Sequence, residues 1–238
     1  SGYPRRWVER LGKDAPPQLY YHGTLEHLSR PTMAVISPYN IPGVTMWAAN
    51  DVLFTIREYA LNLVGAWHSP MESEIFRLGL YFPHMAMTLF SAKGLAKETW
   101  ESYIGVRYYP PFDKIPERPE YFRRAQAGEL LMLSVVPPET SRMSIERNIV
   151  ERNWLSCVLA DFTFVPNADP GSKTLRVARR VLKAGLPIFT TDHPHCQNLH
   201  ALGVPGLTRK TVKEFLETHG AVRVAQIDAR GIVKALHP

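Results

Sequence analysis

Two cysteines, Cys157 and Cys196, are all that the 238 residues contain, too few for a disulfide framework. The chain therefore reads as a protein of a reducing compartment, the cytoplasm. No apolar run approaches the roughly 18 residues that a membrane span needs, and the first residues hold no signal-peptide core. Internal repeats and low-complexity tracts are absent as well, which excludes repeat architectures. What is present is ample core material, 45% hydrophobic residues, together with 28 Lys and Arg against 22 Asp and Glu. The resulting charge of +6 suits a polyanionic partner without requiring one.

The most informative stretch runs from Glu151 to Thr191. It reads as a turn or short helix, a buried strand at Phe162 to Val165, a polar loop with Pro170, Gly171 and Ser172, an amphipathic helix, and a second buried strand at Ile188 to Thr190. A right-handed crossover makes the two strands parallel and leaves the N-terminus of the helix open to an anion. Upstream, Met33 to Ser37 (MAVIS) is a first buried strand. Thr45 is placed to cap the helix after it, whose apolar stripe is Ala48, Val52, Ile56, Tyr59 and Leu63. Further strands are expected at Leu61 to Ala66, Met87 to Phe90 and Leu130 to Val136, with a helix near Glu72 to Tyr81. A proline-dense connection spans Tyr108 to Pro119. Thr208 caps a short helix, and Val222 to Ile227 makes a late strand.

The expected fold is α/β, a Rossmann-like, mostly parallel sheet with helices on both faces. It forms a single domain over 1–238, with a lead-in segment at 1–30 and a C-terminal loop, helix and strand at 192–238.

The helix after Gly171-Ser172 buries Leu175, Ala178, Val181 and Leu182, which leaves Lys173, Arg176, Arg180 and Lys183 on a common face. Such a stripe matches phosphate positions along a strand, or is a solvated face. Arg152 and Asn153 precede the same crossover, with Arg142 and Arg147 upstream, and Trp154 is either a stacking platform for a base or a packing residue. Pro170-Gly171-Ser172-Lys173-Thr174 echoes a P-loop without its glycine-lysine step. The segment also lacks the glutamate that cytokinin-activating phosphoribohydrolases carry at the matching helix start, so no acid/base group for N-glycosidic hydrolysis is in place. Asp192, His193, His195, Cys196 and His200 could in principle meet at a zinc ion, but no second cluster completes a ligand set. Glu72 and Glu74 are explained by a helix N-terminus. No cofactor is called for.

Taken in order, DAPPQLYYHGTLEHL, MAVIS, LLMLSVVPPE, ERNWLSCVLADFTFVPNA and PGSKTLRVARRVLKAGLPIFTT resemble the Rossmann-like domain of the DNA-processing protein A (DprA/Smf) family, from about Tyr3 to Thr191. The resemblance implies a non-catalytic DNA recombination mediator that acts in DNA-mediated transformation. Such a protein binds single-stranded DNA, works beside a strand-exchange recombinase, and is typically a homodimer. It also implies departures. Ser37-Pro38-Tyr39 stands where the family has Gly-Ser-Arg, and of the family's second glycine-rich loop only Gly65 survives within Val64 to Met71. The family's Arg-Asn-Arg falls on Arg152-Asn153-Trp154, and its Ser-Gly-Ser loop on Pro170-Gly171-Ser172.

The nucleic-acid surface expected from all this comprises Arg147, Arg152, Asn153, Trp154, Gly171, Ser172, Lys173, Arg176 and Arg180. Two other readings stay open: a sensor that holds a nucleotide or nucleotide-derived phosphate at the same helix N-terminus, and a degenerate scaffold acting through protein contacts.

Overall fold

A computed structural model describes residues 3–96, 116, 118–140, 146–227 and 233–235. Its strands are Tyr20–His22 (β1), Thr32–Val35 (β2), Asn62–Gly65 (β3), Ala86–Phe90 (β4), Leu130–Ser134 (β5), Phe162–Phe164 (β6), Ile188–Thr191 (β7), Gly206–Leu207 (β8), Ala225–Ile227 (β9) and Val233–Ala235 (β10). The helices are Arg5–Leu11 (α1), Gly43–Ile56 (α2), Pro70–Tyr81 (α3), Arg118–Gln126 (α4), Glu146–Leu159 (α5), Lys173–Lys183 (α6), Gln197–His200 (α7) and Arg209–Thr218 (α8).

Strand alternation sets the layers. Met33 and Val35 enter one apolar cluster and Ala34 and Ile36 the other, as the two-residue period of a strand requires. Leu63, Met87, Leu130 and Met132 continue the first face, and Val64, Phe90, Leu131 and Leu133 the second. Strands buried on both sides read as unbroken apolar runs, which is why MAVIS and LLMLSVV show no polar alternation. Helices α2, α3 and α8 supply the first cluster, with Val52, Ile75 and Leu216 among their contributions. Helices α1, α5 and α6 supply the second, with Trp7, Val158 and Val181.

Eight strands join in the order β1-β5-β4-β3-β2-β6-β7-β8, all parallel except β1 against β5. This is the expected Rossmann-like α/β sheet with helices on both faces. From β2 the chain builds outward on one side through β3, β4 and β5. It then crosses back to place β6 on the other side of β2. Loops leaving β2 and β6 therefore diverge to opposite faces, and a crevice opens between them at the C-terminal edge of the sheet.

A strand and a helix tie the lead-in to this frame. Strand β1 extends the edge beside β5, and α1 lies on α5, where the buried Trp7 donates Nε1–H to Leu155 O at 3.0 Å. Burying a side chain of that size contributes on the order of 2–3 kcal/mol. Asn62 links three strands at its buried position, donating to Thr32 Oγ1 at 3.3 Å and accepting from Thr88 Oγ1 at 2.8 Å.

Four local expectations change. Glu151 does not open a short helix but sits inside α5, whose buried Trp154, Leu155, Val158 and Leu159 repeat at helical spacing from further upstream. Thr45 does not cap α2. The helix starts at Gly43 after Pro42, because the fixed proline φ, −59° here, suits a residue that leads into a helix, and Thr45 is buried in the first turn. Helix α2 ends at Ile56, so Tyr59 falls in an antiparallel bridge with Arg223, and Leu63 lies in β3. The late strand is shorter than expected, and β9 pairs with β10 rather than with the main sheet. The proline-dense connection lies mostly outside the described residues, although Arg118 and Pro119 open α4.

Candidate nucleic-acid interface

Helix α6 begins where Gly171, at φ +75°, turns the chain out of β6. Glycine tolerates that left-handed conformation without a Cβ penalty. The next residue caps the helix: Ser172 Oγ accepts from Leu175 N at 3.1 Å, so this hydroxyl is already engaged. Thr174, Leu175, Val177, Ala178 and Val181 face the core, while Lys173, Arg176, Arg179, Arg180 and Lys183 face outward. Arg179 widens the basic stripe beyond the expected residues, and its i+3 spacing from Arg176 is the sequence signal for it.

Helix α5 lies against this stripe and brings two carboxylates to it. Glu146 pairs with Arg176 and lies 3.7 Å from Lys173 Nζ, and Glu151 accepts from Arg180 Nη1 at 3.0 Å. All five of these side chains are about half exposed, where solvent screens such pairs and leaves them weak. A phosphate can exchange for either carboxylate at little cost. Trp154 is buried, and the Arg180 guanidinium covers its ring at 4.1 Å from the centroid. That face of the indole is thus occupied by protein. Asn153 is half-buried on the same helix.

Arg152 turns the other way. Its side chain is only 4% exposed, Nη1 donates to Phe90 O at 3.1 Å, and Nε has no hydrogen-bond partner among the described residues. It forms a wall of a cavity of about 400 Å³ between the start of α5 and the loops after β4 and β5, together with Ser91, Thr140, Arg147, Asn148 and Glu151. Arg147 is exposed on the rim. The fold therefore divides the expected residues. Arg147 and Arg152 share one cavity, whereas Lys173, Arg176 and Arg180 lie with Trp154 on the α5–α6 face. Arg142 lies outside the described residues.

At the switch point, the chain fills a potential anion nest with its own carboxylate. Glu72, 1% exposed at the start of α3, accepts from the backbone N–H groups of Ser37 (3.1 Å), His68 (3.2 Å) and Ser69 (3.5 Å). His68 Nδ1 lies 3.2 Å away. Burial pushes this carboxyl up, but the charge and hydrogen bond of His68, the charge of Arg152 and the Ser37 N–H together hold it below the usual carboxylate range. The helix dipole is thus only part of the account of Glu72. Ser69-Pro70-Met71-Glu72 has the spacing of a capping box, a signal legible in the sequence.

The histidine-rich loop takes a structural form. Cys196 Sγ is buried, 2.7 Å from Thr191 Oγ1 and 3.3 Å from Pro166 O, and His193 Nδ1 accepts from His195 N at 3.2 Å. Among the described residues no group of three or more His, Cys, Asp or Glu side chains could hold a metal ion. No helix among them is long and apolar enough to cross a membrane.

A mostly parallel doubly wound sheet, with its crevice at the strand-order reversal and cations gathered along that edge, defines a Rossmann-like α/β protein. No family model and no curated protein matches the chain. Solved structures of DNA processing proteins share its fold. DNA processing protein A (DprA) from Streptococcus pneumoniae is 17% identical with a TM-score of 0.67, over 92% of this chain and 71% of that one. DNA processing protein A from Helicobacter pylori, whose structure concerns a single-stranded DNA binding mode, is 19% identical with a TM-score of 0.67, over 90% and 93%. The chain has the DprA fold.

Proposed function

We propose that the protein binds single-stranded DNA along the C-terminal edge of its sheet, acting as a single domain without catalysis. The observation that carries this reading is Arg152. A guanidinium this deeply buried, with Nε unpartnered among the described residues in the wall of a cavity whose rim holds Arg147, retains a donor that a phosphate oxygen would satisfy. From that cavity the strand passes the crevice and reaches Lys173, Arg176 and Arg179, where the Glu146 and Glu151 pairs yield to phosphates. The likeness of fold to DprA structures supports the same reading, and so does the charge of +6. A role beside a strand-exchange recombinase, as a homodimer in the cytoplasm, extends it.

A sensor anchored by a phosphate at the start of α6 has less support, because Ser172 Oγ caps its own helix.

Anisotropy titration of a labelled oligothymidine against salt tests the proposal. Binding should weaken steeply with salt, and Arg147→Glu combined with Arg179→Glu should reduce both the affinity and the slope, by about 0.7 for each phosphate that the protein no longer holds. No binding at low salt refutes it.

A further inference from the structure

Helix α2 is apolar on two faces. In its sequence, GVTMWAANDVLFTI, Asp51 is the one charged side chain. Ala49, Val52, Leu53 and Ile56 enter the core, yet Val44, Trp47 and Phe54 are exposed, Trp47 to 79%. A helix that is apolar all round is ordinarily covered all round. The outward side of α2 lies open.

That side is one wall of a groove of about 300 Å³ whose other wall is α3. From α2 it is lined by Gly43, Trp47, Asn50 and Phe54, at successive steps of four, three and four residues. From α3 come Met71, Glu74 and Leu78, at steps of three and four. Each wall thus carries a heptad seam, the spacing at which helices interlock their side chains. Charge also runs along the groove in one direction. Glu74 stands in its first half, paired with Arg77 at 3.2 Å. At the far end two guanidinium groups gather on the ring of Phe54, Arg57 at 4.6 Å from the centroid and Arg209 at 5.9 Å. Arg209 has Asp51 at 2.7 Å as its partner. Arg57 makes no ion pair among the described residues, and its Nε has no hydrogen-bond partner among them.

We infer that the α2–α3 groove docks an amphipathic helix of a partner protein, with apolar residues at heptad spacing, a basic residue at the end that meets Glu74 and an acidic residue at the end that meets Arg57. The two seams select a helix over an extended strand, because a helix presents its side chains at the same steps of three and four. Trp47 is the anchor, since tryptophan supplies much of the binding energy where it is buried at the centre of an interface. The opposed charges fix the direction of the partner helix. A second copy of this chain fits less well, because a two-fold contact sets the groove against itself, concave on concave, with no ridge to fill it. The groove lies on the sheet face opposite α5 and α6, so a partner seated there leaves the basic stripe free. The inference stands whether or not that stripe holds DNA.

The probe is a labelled, helix-stabilised peptide of about two heptads, with Leu at the seam positions, Lys at one end and Glu at the other, titrated by anisotropy against the full chain. It should bind in the micromolar range. Trp47→Ala should weaken it on the order of tenfold. Arg57→Gln should weaken it about threefold at low salt, and should leave unchanged the affinity of a peptide whose Glu is replaced by Gln. Melting curves show whether the variants fold, and the Gln peptide on the unaltered chain reads the Arg57 contact without any substitution in the protein. The inference is overturned if the peptide fails to bind at about 0.1 mM or binds no better than its scrambled sequence. It is equally overturned if Trp47→Ala leaves binding unchanged, if sedimentation shows a dimer of the chain that Trp47→Ala dissociates, or if anionic lipid vesicles take the groove instead in a Trp47-dependent way.

Discussion

The guanidinium of Arg180 lies over the indole of Trp154, 4.1 Å from the ring centroid, while its Nη1 donates to Glu151 Oε2 at 3.0 Å. One arginine thus ties α6 to α5 by a cation–π contact and an ion pair, and shields the aromatic ring from solvent. Arg180→Ala should destabilise the fold by about 0.5–1 kcal/mol, measured as a lower urea midpoint with an unchanged slope. Arg180→Lys should recover only part of the loss, because the planar guanidinium stacks where an ammonium does not.

Neutralising the acids that face the basic stripe should strengthen DNA binding. Glu146→Gln releases Lys173 and Arg176, and Glu151→Gln releases Arg180. Each variant should raise the affinity for an oligonucleotide at low salt and steepen its salt dependence by up to about 0.7 for each further phosphate engaged. Unchanged slopes in both would remove the α5–α6 face from the path of the strand.

Acid should weaken the fold through Glu72 and His27. Glu72 has its folded pKa depressed, so its contribution is present above the ordinary carboxylate range and is lost as pH falls through the lowered folded value. Burial, with Arg30 and Arg124 nearby, lowers His27 from 6.5 to about 4. The unfolded chain therefore takes up that proton first, and stability falls as pH drops from 6.5 towards 4. Melting temperature followed from about pH 7 to about pH 3 should decline in two stages. Glu72→Gln should start less stable at neutral pH and flatten the lower stage.

Arg124 is 2% exposed and donates to Gly79 O at 2.8 Å and Met85 O at 2.8 Å, with Glu129 at 3.2 Å. It closes the turn between α3 and β4 from the far end of α4. Arg124→Met keeps much of the volume but leaves those carbonyls unpaired in the interior, so a loss of about 3 kcal/mol in denaturant titration is expected.

Neither cysteine should react in the folded protein. Both are buried, and burial pushes the Cys157 thiol up to about 12. A thiol reagent at about pH 8 should label neither native residue, and both after unfolding.

Much of the fold is legible in the sequence because strands buried on two faces and an amphipathic helix leave separate marks. MAVIS and LLMLSVV can be little else than inner strands, and the apolar stripe of α6 predicts its orientation. The start of α2 differs from expectation because proline geometry at Pro42 outweighs the capping preference of Thr45. Helix α5 is longer than expected because it opens on Glu146-Arg147-Asn148, a polar start that carries no apolar signal.

Residue type and spacing by themselves determined the parallel sheet, the crossover after β6 and the outward basic face of α6. All of these follow from local periodicity, which needs no knowledge of distant segments. Only the tertiary structure decided what that charge meets. Glu146 and Glu151 come from a separate helix to neutralise it, Arg152 turns inward to Phe90 while Trp154 is roofed by Arg180, and Glu72 fills a nest built from two loops. Most of these contacts join segments far apart in the chain, and the rest depend on which side of one helix meets which neighbour. The long-range packing of helices and loops sets them, and no local pattern encodes it.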